Sequence, residues 1–226
     1  MKIKNVIHGV KQIGVWNSIK ALYGKYWFEL RHGLKMNPSL DRERAQIENP
    51  HIEGHERYEP ISHFSFNRML KKIDWDFRES TFTDFGCGKG AAILLASQYG
   101  FKKYIGIEYS PELVKECITN IQKFSKNSGS VINYEIICND ATKYQIPTDA
   151  NVFYFFNPFN NKLLDIVLQN IAESVKANKR NILLLYFNAL HKDVVEKHGY
   201  TVIYSEKKDK TNVWYQGGNY AYSYNP

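Results

Sequence analysis

The stretch Asp84–Gly90, which reads DFGCGKG, decides the fold that this sequence predicts. It follows the apolar segment Thr81–Phe85, which has the length and composition of a buried strand. It leads into Lys89–Tyr99, an apolar segment that we expect to be a helix. Glycines in such a turn let the backbone bend sharply and approach a ligand closely. The stretch therefore predicts a strand–turn–helix unit with a ligand site at the turn.

The spacing of the three glycines, Gly86, Gly88 and Gly90, is GxGxG and differs from the GxGxxG of dinucleotide-binding turns. In those turns a pyrophosphate is seated on the N-terminus of the helix. Here Asp84 precedes the glycines, and its carboxylate would repel a pyrophosphate. We therefore expect the ligand group at this turn to be positively charged or zwitterionic.

Short apolar segments alternate with amphipathic ones from about Tyr58 to the C-terminus, and this alternation extends the unit into a domain. It predicts an α/β fold with a mostly parallel sheet, helices on both faces, and ligands beyond the carboxyl ends of the strands. The segment from Tyr200 onward, with its Gly217-Gly218 turn signal, reads as antiparallel strands. The remaining predicted elements are strands at Tyr104–Glu108, Ile132–Cys138, Val152–Phe156 and Asn181–Phe187, and helices within Pro60–Ile73 and at Pro111–Phe124, Lys162–Val175 and Asp193–His198.

Acidic residues also end the next two strands. A carboxylate at Glu108, about 20 residues beyond the glycines, can accept both hydroxyls of a ribose, and Tyr109 can pack beside a purine. Asp140 can accept a hydrogen bond from an adenine amino group, and the N–H of Ala141 can donate to a ring nitrogen. Simpler interpretations exist, since Glu108 can be a solvated strand end and Asp140 a helix N-cap.

These residues resemble the class I S-adenosylmethionine (SAM)-dependent methyltransferases, over roughly Tyr58 to the C-terminus. The similarity is closest to bacterial members with three segments that stand here as Tyr58-Glu59-Pro60, Asp84–Gly90 and Phe156-Asn157-Pro158-Phe159. Many relatives carry arginine after the glycine loop, where this chain has Ala91.

The resemblance implies a Rossmann-like sheet of seven strands whose last strand is antiparallel. It implies that SAM is the cofactor, with Asp84 and the glycine backbone holding its methionine part. It also implies that Glu108 holds the ribose, and that Asp140 with Ala141 holds the adenine.

Asn157, Pro158 and Phe159 follow the fourth strand, where the methyl donor and acceptor should meet. The side-chain carbonyl of Asn157 can accept a hydrogen bond from an attacking N–H, and Phe159 can pack on a flat or aliphatic acceptor. The segment resembles the Asn-Pro-Pro-(Tyr/Phe) segment of amino-methylating enzymes, with one proline missing. We therefore expect N-methylation slightly ahead of O-methylation, on a protein side chain or a small metabolite. The simpler interpretation is a strand-ending turn.

Residues 1–57 are predicted to form a basic, helical N-terminal extension and connection, and residues 58–226 the methyltransferase domain. Residues 1–35 contain seven lysines and arginines and one glutamate, so they carry +6 of the net charge of +7. Two roles stay open for this extension. It can be a lid that excludes water from the cofactor cleft, or it can bind an anionic membrane or polymer surface.

The composition limits the alternatives. No apolar run reaches the about 18 residues of a membrane span, no metal site is expected, and no clear nucleic-acid signal is present. Three cysteines without a CxxC pair suit a cytoplasmic protein, with peripheral membrane contact as a variant. Two rivals to an enzyme with an unidentified acceptor remain: a non-catalytic SAM-binding regulatory subunit, and an NAD-dependent oxidoreductase, which the GxGxG spacing and Asp84 disfavour.

Overall fold

The computed structural model describes residues 29–34, 36, 61, 63–207 and 216–226. Most of the predicted N-terminal extension, the boundary at residues 57 and 58, and the Tyr58-Glu59-Pro60 segment lie outside the described residues. What the structure describes therefore bears on the predicted α/β domain and on only a short part of the extension.

One sheet organises the described residues. Its strands are β1 (Thr81–Phe85), β2 (Lys103–Glu108), β3 (Tyr134–Cys138), β4 (Val152–Phe156), β5 (Ile182–Ala189), β6 (Thr201–Glu206) and β7 (Gly218–Tyr224). The order across this seven-stranded sheet is β3-β2-β1-β4-β5-β7-β6. All neighbouring strands are parallel except the two pairs that involve β7. The predicted Rossmann-like, mostly parallel sheet is confirmed.

Helices cover both faces of the sheet. They are α1 (His63–Leu70), α2 (Ala91–Ala96), α3 (Pro111–Ser128), α4 (Asn161–Ala177) and α5 (Lys192–Lys197). Buried apolar residues of α1, α2 and α3 belong to one hydrophobic cluster, and those of α4 and α5 belong to the other. The domain is therefore a three-layer α/β structure, as the alternation predicts.

The helix ends follow from local chemistry. Ser110 accepts a hydrogen bond from the backbone N–H of Leu113 at 3.4 Å, and Pro111 occupies the first position of α3. At the other end, the left-handed Gly129, with a φ of 70°, ends the helix after Ser128. Helix α3 is therefore four residues longer than the predicted helix, which ended at Phe124. The helix predicted at Lys89–Tyr99 is shorter, because the left-handed Gly90 delays its start and the last turn tightens into a 3-10 helix.

Aromatic side chains fill the core on both sides of the central strands. On the α1 face, the ring of Phe66 packs against Phe82, Tyr154 and Phe187 with centroid distances of 6.0 to 6.4 Å. On the opposite face, Phe85 stacks on Phe155 at 5.2 Å. Burial of this many rings on both sides holds β1, β4 and β5 in place. The residues at the carboxyl ends of these strands are therefore held in place as well.

The described end of the N-terminal extension packs against the far end of α3. The ring of His32 lies 4.5 Å from that of Phe124, and the Asn127 side chain donates to the His32 carbonyl at 2.9 Å. Leu34 and Met36 are buried in the same core cluster. Both contacts of His32 lie in the C-terminal part of α3, which ends at Ser128.

Two further observations concern the described part of the chain alone. None of its helices combines the length and the apolar character needed to cross a membrane. Its His, Cys, Asp and Glu side chains form no group of three that could hold a metal ion.

Candidate active site

The glycine turn sits between the carboxyl ends of β1 and β2. The backbone N–H groups of Gly86 and Cys87 both donate to the carbonyl of Ile107, at 2.8 and 3.1 Å. Gly86 has a φ of 76°, and a Cβ at this position would lie 3.0 Å from the Cβ of Pro158. Only glycine therefore fits without strain, and its small size lets the turn approach the predicted acceptor segment.

Helix α3 supports the other side of the turn. The side chain of Asn120 donates to the carbonyl of Lys89 at 3.1 Å, and the Lys89 ammonium pairs with Glu116 at 2.8 Å. Gly90 has a φ of 84°, and a Cβ there would lie 2.7 Å from the sulfur of Cys117. The sequence did not predict these contacts, because Glu116 and Asn120 lie 27 and 31 residues beyond Lys89 and meet it only through tertiary packing.

Asp84 lies at the base of the turn and is only 2% exposed. Burial raises the pKa of its carboxyl well above the ordinary range, and the negative charge of Glu108 raises it further. A carboxylate held here is costly in the ligand-free protein, and a cationic ligand group beside it would offset that cost. The positively charged or zwitterionic ligand group, inferred from the position of Asp84 in the sequence, stays a prediction.

Glu108 joins the glycine turn to the start of α3. One carboxylate oxygen accepts the N–H of Gly88 at 2.9 Å, and the other accepts the N–H of Ser110 at 3.0 Å. Burial raises the pKa of Glu108, and hydrogen bonds from the backbone of Ser110, Gly88 and Tyr109 oppose that rise. Each oxygen of an ionised carboxylate has a second acceptor position, so both remain able to bind hydroxyl groups.

Asp140 caps the 3-10 helix Ala141–Lys143. One of its oxygens accepts the backbone N–H and the hydroxyl of Thr142, at 2.9 and 2.7 Å, and the other lies 3.7 Å from the Lys143 ammonium. The N-cap interpretation therefore describes what this side chain does in the structure, and its predicted contact with adenine stays a prediction. The same holds for Ala141, which is buried, and for Tyr109, which is exposed.

Asn157 is the first residue after β4. Its backbone φ is 41°, it is 4% exposed, and its side-chain oxygen accepts a hydrogen bond from the hydroxyl of Tyr186 at 3.0 Å. Phe159 is 2% exposed and packs edge-on against Phe155 at 6.3 Å, so it supports the segment from the core side. The acceptor contacts predicted for Asn157, Pro158 and Phe159 stay predictions.

A second group of polar residues lies at the carboxyl end of β5 and was not predicted. Asn188 has a φ of 49°, and its side-chain oxygen accepts the N–H groups of Gln216 and Gly217 at 2.9 and 2.7 Å. Its own N–H donates to Asn219 at 3.1 Å, which in turn contacts Glu206. The sequence held one sign of this group: Tyr186 and Asn188 are polar residues near the end of an otherwise apolar strand.

Comparison with known proteins agrees with this arrangement. Residues 82–178 match the family described as a methyltransferase domain. This segment is therefore similar to a methyltransferase domain. The matched segment is less than half of the 226 residues, and it runs from β1 to the end of α4.

Solved structures share the fold of this methyltransferase domain. A SAM-dependent methyltransferase from Aquifex aeolicus superposes with a TM-score of 0.55 at 14% identity, covering 84% of this chain and 98% of its own. The PH0226 protein from Pyrococcus horikoshii superposes with a TM-score of 0.51 at 16% identity, covering 72% and 88%. Identities this low show the fold alone, which is Rossmann-like with a mostly parallel seven-stranded sheet. No curated protein sequence matches the chain significantly.

The methyltransferase domain brings the predicted cofactor residues to one edge of the sheet. Asp84, Glu108 and Asp140 stand at or after the carboxyl ends of the neighbouring strands β1, β2 and β3, and Asn157 stands after β4. All four lie inside the matched segment, whereas Tyr186 and Asn188 lie beyond it. The predicted enzyme class, a methyltransferase, is confirmed.

Proposed function

We propose that this methyltransferase takes the methyl group of SAM and transfers it to a nitrogen of a protein side chain or a small metabolite. One observation carries the proposal: the buried carboxyl of Asp84 lies at the base of a glycine turn that approaches the acceptor segment closely, because a Cβ at Gly86 would lie only 3.0 Å from the Cβ of Pro158. A buried carboxyl that a cationic group would stabilise, beside a glycine backbone that a ligand can approach closely, suits the charged end of SAM.

We place the methyl donor, SAM, against the acidic residues at the carboxyl ends of β1, β2 and β3. Asp84 and the backbone of the glycine turn hold the methionine part, and the fixed carboxylate of Glu108 binds the ribose hydroxyls. Tyr109, Asp140 and Ala141 lie around the adenine. SAM supplies a methyl group bound to a positively charged sulfur. The carbon of this methyl group is already a good electrophile.

The acceptor side uses Asn157. Its side-chain oxygen keeps an acceptor position beside the one that Tyr186 occupies, and that position can orient an N–H of the acceptor. Orientation of this kind can contribute roughly 7–11 kcal/mol to a displacement reaction, so a neutral amine needs no strong base. A hydroxyl acceptor would need one, which is why we favour nitrogen.

The experiment uses the full chain, tritiated-methyl SAM and a fractionated cell lysate. We expect label in one class of acceptor, protein or small molecule, with stoichiometric S-adenosylhomocysteine. Binding of SAM without transfer to any fraction would support the alternative of a non-catalytic SAM-binding subunit. Binding of NAD in place of SAM would support the oxidoreductase and overturn the proposal.

We also propose that the basic N-terminal extension contacts an anionic surface. Support comes from its charge of +6, which is most of the chain's net charge of +7. Replacing Lys2, Lys4 and Lys11 by glutamine should reduce sedimentation with phosphatidylserine vesicles and leave methyl transfer unchanged. Lost transfer to a small acceptor, with vesicle binding intact, would favour the lid instead.

A further inference from the structure

We propose that Tyr186 is a positioning residue for methyl transfer: its hydroxyl fixes the side-chain amide of Asn157 in the orientation that accepts an N–H of the substrate. The inference rests on the proposed function and adds a residue outside the segment that matches the methyltransferase family. Tyr186 is fully buried on β5, and its hydroxyl contacts the side chain of Asn157.

The tyrosine is held on both sides by the sheet. Tyr186 pairs with Phe155 of β4 and with Tyr220 of β7, so its backbone is fixed by two neighbouring strands. Its ring lies edge-on to Phe155 at 6.1 Å. With backbone and ring both restrained, the position of the hydroxyl is set by the core and does not depend on the substrate.

The amide of Asn157 has the opposite character, because it stands on a turn. Its oxygen and nitrogen edges have nearly the same shape, and a rotation of 180° exchanges them. The hydroxyl of Tyr186 donates to the oxygen at 3.0 Å, and the amide cannot rotate without breaking this bond. The exchanged orientation would present an NH2 donor where the substrate N–H requires an acceptor.

A matched control is present in the same core cluster. Tyr222 of β7 is also fully buried, and its hydroxyl has no hydrogen-bond partner among the described residues. It pairs with Leu184, two residues before Tyr186 on β5. Replacing either tyrosine by phenylalanine removes one buried hydroxyl, but only at Tyr186 does the change free the amide of Asn157.

The test compares Tyr186→Phe, Tyr222→Phe and Asn157→Ala in the full chain, with tritiated-methyl SAM and the lysate fraction that the wild type labels. We expect Tyr186→Phe to lower the transfer rate at saturating SAM about tenfold, as misorientation of a positioning group does. The KM for SAM and the calorimetric Kd for SAM should stay unchanged. Tyr222→Phe should transfer at the wild-type rate.

Combination of the variants separates positioning from a general loss of packing. In the Asn157→Ala background, Tyr186→Phe should cause no further loss of rate, because no amide is left to orient. In isotope-labelled protein, Tyr186→Phe should shift the side-chain amide resonances of Asn157, and Tyr222→Phe should not.

Equal rates for Tyr186→Phe and Tyr222→Phe, or an additive loss in the double variant, would overturn the positioning role. A wild type that binds no SAM, or that labels no fraction, would instead overturn the proposed function on which this role rests. An unshifted amide resonance in Tyr186→Phe would contradict the orienting hydrogen bond whatever the activity.

Discussion

Single residues at the strand ends carry most of the chemistry. Asp84 and Glu108 could be predicted from the sequence, because each acidic residue ends an apolar segment and the glycines follow the first of them. Their surroundings could not be predicted. Burial of Asp84 to 2% exposure, and the two backbone N–H groups on Glu108, depend on contacts between residues 20 or more positions apart or on the path of the turn.

Asp84→Asn tests the buried carboxyl. Because folding raises the pKa of Asp84, the stability associated with its protonated form is fully present below the ordinary aspartate pKa and is lost as pH rises through the raised pKa. At pH 7 without ligand, the substitution should therefore increase the free energy of unfolding, and the increase should be smaller at pH 5. Denaturant unfolding at pH 5 and pH 7 measures this, and a variant less stable than the wild type at pH 7 would contradict it.

Secondary-structure elements were predicted best where the pattern is local. The bounds of β4 agree with the prediction, and the N-cap at Ser110 and the proline after it placed the start of α3. The observed bounds differ from the predicted bounds where contacts with distant residues determine where an element begins or ends. Strand β3 begins at Tyr134 and not at Ile132, which is buried without joining the ladder. The support that α3 gives to the glycine turn, through Glu116 and Asn120, is likewise a tertiary effect.

Glu116→Gln tests that support. It leaves the Lys89 ammonium, whose side chain is 6% exposed, without its carboxylate partner. We expect a loss of roughly 1–2 kcal/mol in unfolding free energy, below the about 3–5 kcal/mol of a fully buried pair because Glu116 is partly exposed. SAM affinity should fall as well, since the turn loses a contact.

Glu135→Gln is the matched control. It breaks the Lys103–Glu135 pair, which has a similar distance of 2.7 Å but is more exposed. Its loss should stay within about 0–1 kcal/mol, with SAM affinity unchanged. If the two variants behave alike in unfolding and in calorimetry, α3 does not hold the turn.

At the scale of the whole molecule, the strand order divides the binding edge into two halves. Strands β3, β2 and β1 bring the acidic residues together, and β4, β5 and β7 bring the amides Asn157, Asn188 and Asn219 together. The alternation of segments predicted the parallel sheet. It did not predict the amide half, because β7 inserts between β5 and β6 and reaches its neighbours only in three dimensions.

Asn188→Ala tests the amide half. It removes the acceptor of two backbone N–H groups, those of Gln216 and Gly217, and places alanine at a φ of 49°. We expect a loss of about 2–3 kcal/mol in unfolding free energy. Asn133→Ala, which removes one exposed hydrogen bond to Lys102, should change it by at most about 0.5 kcal/mol. Denaturant unfolding measures both changes. Similar losses of unfolding free energy for the two variants would show that Asn188 does not stabilise this end of the sheet.

The most direct test of the central claim is calorimetric titration of SAM into the full chain and into Asp84→Asn and Glu108→Gln. The account predicts that the wild type binds SAM, that each variant binds it at least about tenfold more weakly, and that Asp84→Asn remains folded. Wild-type affinity for SAM in both folded variants, or no binding by the wild type, would contradict it.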